Sequence, residues 1–405
     1  MIENLPPLSL YIHIPWCVRK CPYCDFNSHE PQAELPVKEY VYALKEDLLI
    51  DASLAQGRQI SSIFFGGGTP SLFPGEAIGQ IIDNANTIIG IENGAEITLE
   101  ANPGTTECLS FSSLKSAGVN RLSMGVQSFN DQHLKKLGRI HNSSQAKIAF
   151  ERAQNAGFSN INIDLMHGLP DQTLDDALLD LQQAINLSCT HISWYQLTIE
   201  PNTAFYNDSP VLPVEDTLAD IQDEGHDILS SSGFQQYEVS AYALHTEDSG
   251  DLRSKHNLNY WRFGDYLGIG AGAHSKITLS PAFFQNDNAN NTLLRSCDLT
   301  KQTNIMRHQK TRLPKDYLDT NKSFASKHSF IEKEALPLEF FMNTLRLTEG
   351  VEKELFERRT GQYIKHIDQE LQKLQASGLL EEQSQRIVLS KIGQRYLNTA
   401  LETFL

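Results

Sequence analysis

Three cysteines stand within eight residues, in Cys17-Val-Arg-Lys-Cys21-Pro-Tyr-Cys24, directly after the β-branched and aromatic run Tyr11-Ile-His-Ile-Pro-Trp16. Thiols at this Cys-x3-Cys-x2-Cys spacing must bend round one centre. A disulfide would use only two of them. Tetrahedral zinc asks for four protein ligands, so a zinc site would need His13 or His29 as the fourth. Three thiolates suit a [4Fe-4S] cluster, whose irons are normally held by one cysteine each. The iron left without a protein ligand is then free to bind a small molecule.

Other polar motifs follow short apolar runs. Gly66-Gly67-Gly68-Thr69-Pro70 lacks the Gly-Lys-Ser/Thr ending of a phosphate loop; it reads as a tight turn or as backbone that a ligand can approach closely. Glu100, Gln127, Arg139 and Asp164 sit in Glu100-Ala-Asn-Pro, Gly-Val-Gln127-Ser-Phe, Gly138-Arg139 and Asp164-Leu-Met-His-Gly-Leu-Pro. Each alone also reads as a capping, turn-packing or surface residue. Further on, His256-Asn-Leu-Asn-Tyr260-Trp261 joins an imidazole to two flat aromatic rings. A neutral imidazole is a common axial ligand of heme iron, and Tyr and Trp offer amphipathic surface to a porphyrin face. The competing reading is a packed aromatic corner.

The cysteine spacing resembles that of the radical S-adenosylmethionine (SAM) superfamily, in which the open iron chelates the methionyl end of SAM. Taken with the strand-end motifs, it is similar to the oxygen-independent coproporphyrinogen III dehydrogenase group over roughly residues 8–275, and residues 331–405 resemble that group's appended helical domain. The resemblance implies that Cys17, Cys21 and Cys24 hold the cluster. It also implies that Tyr11, Tyr23, Gly67, Gly68, Thr69, Glu100, Gln127, Arg139 and Asp164 line the SAM site, with Arg139 available to SAM's carboxylate. Two features depart from the decarboxylating members: Phe26 stands where they commonly carry a fourth cysteine, and the His256 motif resembles that of the group's heme-binding branch, regarded as heme chaperones. The resemblance thus implies a heme carrier, with His256 toward heme, delivering it to respiratory apoproteins at the membrane. The cluster would then serve structure, homodimerisation or a regulated step. Oxidative decarboxylation of coproporphyrinogen III is the alternative.

These residues need a scaffold that brings strand ends together. Strand-like runs occupy Ser9–Ile14, Ile60–Phe65, Glu96–Glu100, Arg121–Met124, Asn160–Leu165, His191–Leu197 and Gln235–Ser240. Helix-like stretches between them include Val37–Ala55, Glu76–Ile89, Ser144–Ala156, Thr173–Asn186 and Glu215–Ser231. Alternating βα units predict a parallel sheet with right-handed crossovers. Motifs gathered at the strands' C-terminal ends predict an α/β fold, a partial or full TIM-like (β/α) barrel, over residues 1–245. Residues 246–330 read as the heme motif and a connecting segment, with a polar loop over 285–325. Residues 331–405 read as a helical, winged-helix-like domain with a hairpin across Leu379–Leu389 and a last helix over Ile392–Phe404.

Charge narrows the partners. The chain of 405 residues carries a net charge of −16, and residues 331–405 hold 12 acidic against 10 basic side chains. No basic face suggests nucleic acid. No apolar run reaches the roughly 20 residues of a membrane span, and the N-terminus has no signal-peptide pattern. Cys108, Cys189 and Cys297 are isolated and read as ordinary thiols. A cytoplasmic protein is expected.

Overall fold

The computed structural model describes residues 4–105, 110–245, 250–286, 298, 300–383 and 385–405; Cys108 and Cys297 lie outside them. Fourteen strands are present among these residues. They are β1 (Leu8–Ile14), β2 (Ile60–Gly67), β3 (Ile91–Ala101), β4 (Arg121–Gln127), β5 (Ile161–His167), β6 (His191–Gln196), β7 (Phe234–Glu238), β8 (Ala241–Leu244), β9 (Asp265–Ile269), β10 (His274–Thr278), β11 (Gln302–Lys310), β12 (Ala325–Glu332), β13 (Val351–Glu352) and β14 (Arg386–Ile387).

Twelve of them form one sheet in the order β12-β11-β10-β9-β1-β2-β3-β4-β5-β6-β8-β7. From β9 through β1 to β6 every neighbouring pair is parallel. The order has two ends, β12 and β7, so the barrel is partial. The run Gln235–Ser240, expected as a further barrel strand, is instead β7, half of an antiparallel hairpin with β8 at the sheet's edge.

Strand alternation separates two kinds of side chain. On β1, Leu8, Leu10, Ile12 and Ile14 are at most 1% exposed and pack on the outer helices, while Ser9, Tyr11 and His13 alternate with them. Ser62, Glu96, Thr98, Arg121, Ser123, Asn162 and His191 on the next five strands are also buried polar residues. They stack as layers inside the barrel. At its base Ser9 Oγ meets Ser62 Oγ at 2.8 Å, and His191 links Asn162 (2.6 Å) to Tyr237 (2.8 Å). Polar residues at the top face the cavity described below.

The segment 285–325, read from sequence as polar loop, contains all of β11, and β12 begins at its end. Part of the polarity of β11 is internal, with Thr303, Asn304, His308 and Lys310 buried. The side chain of Asn304 donates to Leu279 O at 2.5 Å, and the Lys310 ammonium sits between Asp47 (2.5 Å) and Asp51 (2.6 Å). Burial of a charge is tolerated when it is paired and hydrogen-bonded in this way.

Beyond residue 331 the helices Leu336–Thr344, Lys353–Thr360 and Asp368–Ala376 enclose Phe340, Phe341 and Phe356, with Phe341 stacked on Phe404 at 4.2 Å. The predicted hairpin is present as a bridge between Leu380 and Leu389, while β14 beside it pairs with β13. The last predicted helix breaks at Tyr396 (φ −110°, ψ 40°) into Lys391–Arg395 and Leu397–Glu402. This region shares its core with Leu258 and Phe263 and is tied to the sheet by Arg346–Glu238 at 3.0 Å and by Arg307–Glu339.

Candidate functional site: a cysteine loop between two chambers

The cysteine loop leaves β1 and is pinched at its base. Cys17 N–H donates to His29 O (3.0 Å) and His29 N–H to Pro15 O (2.7 Å). The end of β2 then docks beneath it, Gly68 N–H on Ile14 O (2.8 Å) and Thr69 N–H on Trp16 O (2.7 Å). The two glycines are required by this packing. A Cβ on Gly67, whose φ is +115°, would lie 2.5 Å from the His13 ring, and one on Gly68 would lie 2.5 Å from Trp16 O.

The three thiols are unbridged, and each sulfur has its own hydrogen-bonding neighbour. Thr69 Oγ1 donates to Cys17 Sγ at 3.5 Å, Arg139 Nη1 to Cys21 Sγ at 3.6 Å, and Ser28 Oγ lies 3.8 Å from Cys24 Sγ. Burial pushes the Cys17 and Cys24 thiols up, against the pull of these hydroxyls. Neither histidine of the zinc alternative faces the cysteines' cavity. His13 uses both ring nitrogens: Nε2 donates to Asn27 O at 2.9 Å, which leaves Nδ1 to accept from Tyr11 Oη at 3.0 Å. Burial lowers its pKa to about 4. His29 is turned to Asn27 Oδ1 at 3.1 Å.

All three cysteines line a cavity of about 460 Å³ together with Tyr23, Gly67, Gly68, Thr69, Glu100, Gln127, Arg139 and Asp164. Residues far apart in sequence are brought there by the ends of β1 to β5. Gln127 has a left-handed φ of 70°, next to a register shift between β4 and β5 that re-aims it inward. Tyr195 holds it, donating to Gln127 Oε1 at 2.7 Å. Arg139 donates through Nη2 to Gly125 O at 2.6 Å, but its buried Nε has no hydrogen-bond partner among the described residues. Asp164 accepts from Asn162 (2.7 Å) and Ser123 (3.0 Å), which oppose the upward push of burial. Glu100 is pushed up to about 8 by burial and then by Asp164, with the Gly67 N–H working the other way.

Tyr11 and His256 are placed elsewhere. Tyr11 opens on a second cavity of about 610 Å³, which shares Asp25, Phe26, Gly67 and Glu100 with the first. His256 lines neither. It lies 1% exposed at the barrel's base, on the short helix Lys255–Trp261. Its Nδ1 meets Ser62 Oγ at 3.1 Å and its backbone N–H donates to Glu96 at 3.2 Å. Its Nε2 has no hydrogen-bond partner among the described residues. Burial, then Arg121, lowers its pKa to about 3. The ring packs edge-on to Tyr260 (5.0 Å between centroids), and Tyr260 lines the second cavity. Sequence reasoning missed Ser28, Ser123, Asn162 and Tyr195. The last three occupy inward positions of the period-two pattern on β4, β5 and β6, and that period was the available signal.

The cavity's chemistry fits a cluster and SAM together. It offers three thiols with polar support, a buried guanidinium with an unused N–H toward a carboxylate, and two carboxyls whose burial a cationic or hydroxyl-bearing ligand would relieve. A profile of the radical SAM superfamily matches residues 11–182, and one of the HemN C-terminal domain matches residues 331–396. The chain is 47% identical to heme chaperone HemW of Haemophilus influenzae over 100% of this chain and 99% of that protein. It is 46% identical to heme chaperone HemW of Escherichia coli, over 99% of each. Among solved structures, coproporphyrinogen III oxidase (HemN) from Escherichia coli superposes with a TM-score of 0.76 at 21% identity, covering 99% of this chain and 90% of that one; this likeness is one of fold. Fold and site define a radical SAM protein, a class that implies a [4Fe-4S] cluster and SAM. Within that class the chain belongs to the HemW family.

Proposed function

We propose that this chain is a heme chaperone that works in the cytoplasm, binds heme, and passes it to respiratory apoproteins at the membrane. The observation that carries this reading is end-to-end similarity, at 46–47% identity, to proteins named as heme chaperones. Phe26 supports it. This ring is 62% exposed and borders both cavities, at the position where the decarboxylating relatives commonly carry a cysteine.

In this proposal Cys17, Cys21 and Cys24 hold the cluster. Arg139 Nε meets the carboxylate of SAM, Gly67 and Gly68 present backbone to its methionyl end, and Tyr23, Thr69, Glu100, Gln127 and Asp164 complete the pocket. Tyr11 acts from behind, holding His13 and hence the Gly67 turn. His256 serves heme from the barrel's base, as a positioning residue behind Tyr260. No helix among the described residues is long and apolar enough to cross a membrane; in the proposal, membrane acceptors are met through a partner. A homodimer is part of the same proposal and is read by light scattering with and without cluster.

The test is anaerobic reconstitution followed by addition of SAM, reductant and coproporphyrinogen III, with porphyrinogens and 5′-deoxyadenosine followed by chromatography. The expected result is an intact cluster, no decarboxylated porphyrinogen, and saturable heme binding in a parallel titration. Protoporphyrinogen formed over multiple turnovers would overturn the proposal in favour of a decarboxylase.

A further inference from the structure

The second cavity has no assigned role, and its walls are unusual for a structural void. It is built beside β1, where the sheet passes through the parallel strand β9 into the antiparallel pairings of β10, β11 and β12, so strands beyond β1–β6 supply most of one side. Tyr260 and Tyr266, edge-to-face with ring centroids 4.3 Å apart and planes at 64°, form an aromatic corner. Phe26 stands across the opening shared with the cluster chamber. His274 begins β10 opposite Gln309 of β11, is exposed, and its imidazole makes no hydrogen bond among the described residues. Arg312, also exposed, uses Nε on Asn27 Oδ1 at 3.3 Å and leaves both Nη groups uncommitted.

The volume, about 610 Å³, falls in the range of about 300–1,000 Å³ typical of small-molecule sites. The lining matches one class of ligand. Aromatic rings set edge-to-face offer a face and an edge to a planar macrocycle. An accessible imidazole suits its iron, and a guanidinium with free N–H groups suits a carboxylate at its edge. His256 cannot play the imidazole's part from where it lies, because Tyr260 stands between it and the cavity.

We propose that the second cavity is the seat of an iron tetrapyrrole carrying carboxylates, with His274 as the axial ligand and Arg312 as the carboxylate partner. This rests on the heme-chaperone reading and adds the place and the ligand. Gly67 and Glu100 line both cavities, so the macrocycle sits one residue's thickness from the SAM chamber.

The experiment uses the full chain with its cluster reconstituted anaerobically, titrated with ferric hemin. Binding is followed by magnetic circular dichroism and electron paramagnetic resonance, which separate heme from cluster. Wild type is compared with His274→Ala, His274→Gln, Arg312→Gln and His256→Ala, with cluster iron and sulfide measured as a folding control. His274→Ala and His274→Gln should lose the imidazole-ligated signature and weaken binding at least tenfold, and added imidazole should restore the signature in His274→Ala. Arg312→Gln should weaken binding about fivefold with the signature kept. His256→Ala should keep the signature as well. Wild type that binds no hemin would sink the chaperone reading itself. Wild type that binds, with both His274 variants unchanged or with the signature lost in His256→Ala, would overturn this placement alone.

Discussion

The two chambers differ in how they are made. The cluster chamber gathers consecutive motifs at the ends of β1 to β5. Its side chains are bound to one another before any ligand arrives: Thr69 to Cys17, Arg139 to Cys21, Tyr195 to Gln127. The second chamber draws one or two residues from each of β1, β9, β10, β11 and β12, and two of its chemically useful groups, His274 and Arg312, are exposed and largely uncommitted. Preorganisation suits a resident group whose geometry must be held. Uncommitted groups on an open wall suit a cargo that must leave again. The pair shares only Asp25, Phe26, Gly67 and Glu100.

This contrast can be broken most forcefully at the cysteines. Cys21→Ser should abolish the cluster, with iron falling from about four atoms per chain to near zero, while hemin binding in the second chamber persists. Loss of both would show that the chambers are one site. Gly67 lines both chambers, and Gly67→Ala should disturb both. Its positive φ alone costs about 1–3 kcal/mol, before the clash with His13, and thermal melting of the protein would report it. Arg139→Gln should weaken SAM binding by about 10- to 100-fold, the scale of a lost charge-assisted hydrogen bond, and leave hemin affinity unchanged; equilibrium dialysis with each ligand separates the two effects.

Smaller effects sharpen the comparison. Glu100 titrates at about 8 in the fold against an ordinary value of 4.5. The fold thus holds this proton more tightly than the unfolded chain does. The stabilisation is complete below about pH 4.5 and is lost as pH rises through about 8. Glu100→Gln should flatten that part of the stability profile, as seen in the difference between variant and wild-type melting temperatures from pH 5 to 8. An unchanged slope would place the pH dependence elsewhere. Thr69→Val removes one hydroxyl from Cys17 Sγ and should lower the cluster's reduction potential by about 20–60 mV, since hydrogen bonds to cluster sulfurs are one of the levers that set it. Redox titration followed by electron paramagnetic resonance measures that shift.

The lining of the cysteine cavity, Tyr11 apart, was legible in the sequence because its residues come in contiguous motifs and because βα alternation places strand ends together. Glu215–Ser231 even has the helix limits expected of it. The second chamber was not legible. Asn304, His308 and Lys310 gave β11 the look of a solvated loop, whereas all three are buried, Asn304 bonded to Leu279 O and Lys310 to Asp47 and Asp51. Hydrogen-bond satisfaction is a property of the folded neighbourhood and leaves no periodic trace. The His256 motif was visible as a pattern, but its depth was not: the sequence distance to Ser62 and Glu96 hides that its helix lies at the barrel's base.

The most direct test of the account is heme transfer. Protein with an intact cluster, loaded with one equivalent of hemin, is mixed anaerobically with excess apomyoglobin, and holomyoglobin is followed by its Soret band. The account predicts saturable loading, then complete passage of heme to the acceptor with the cluster iron unchanged. Failure to retain hemin through gel filtration, or retention with no passage to the acceptor, would contradict it.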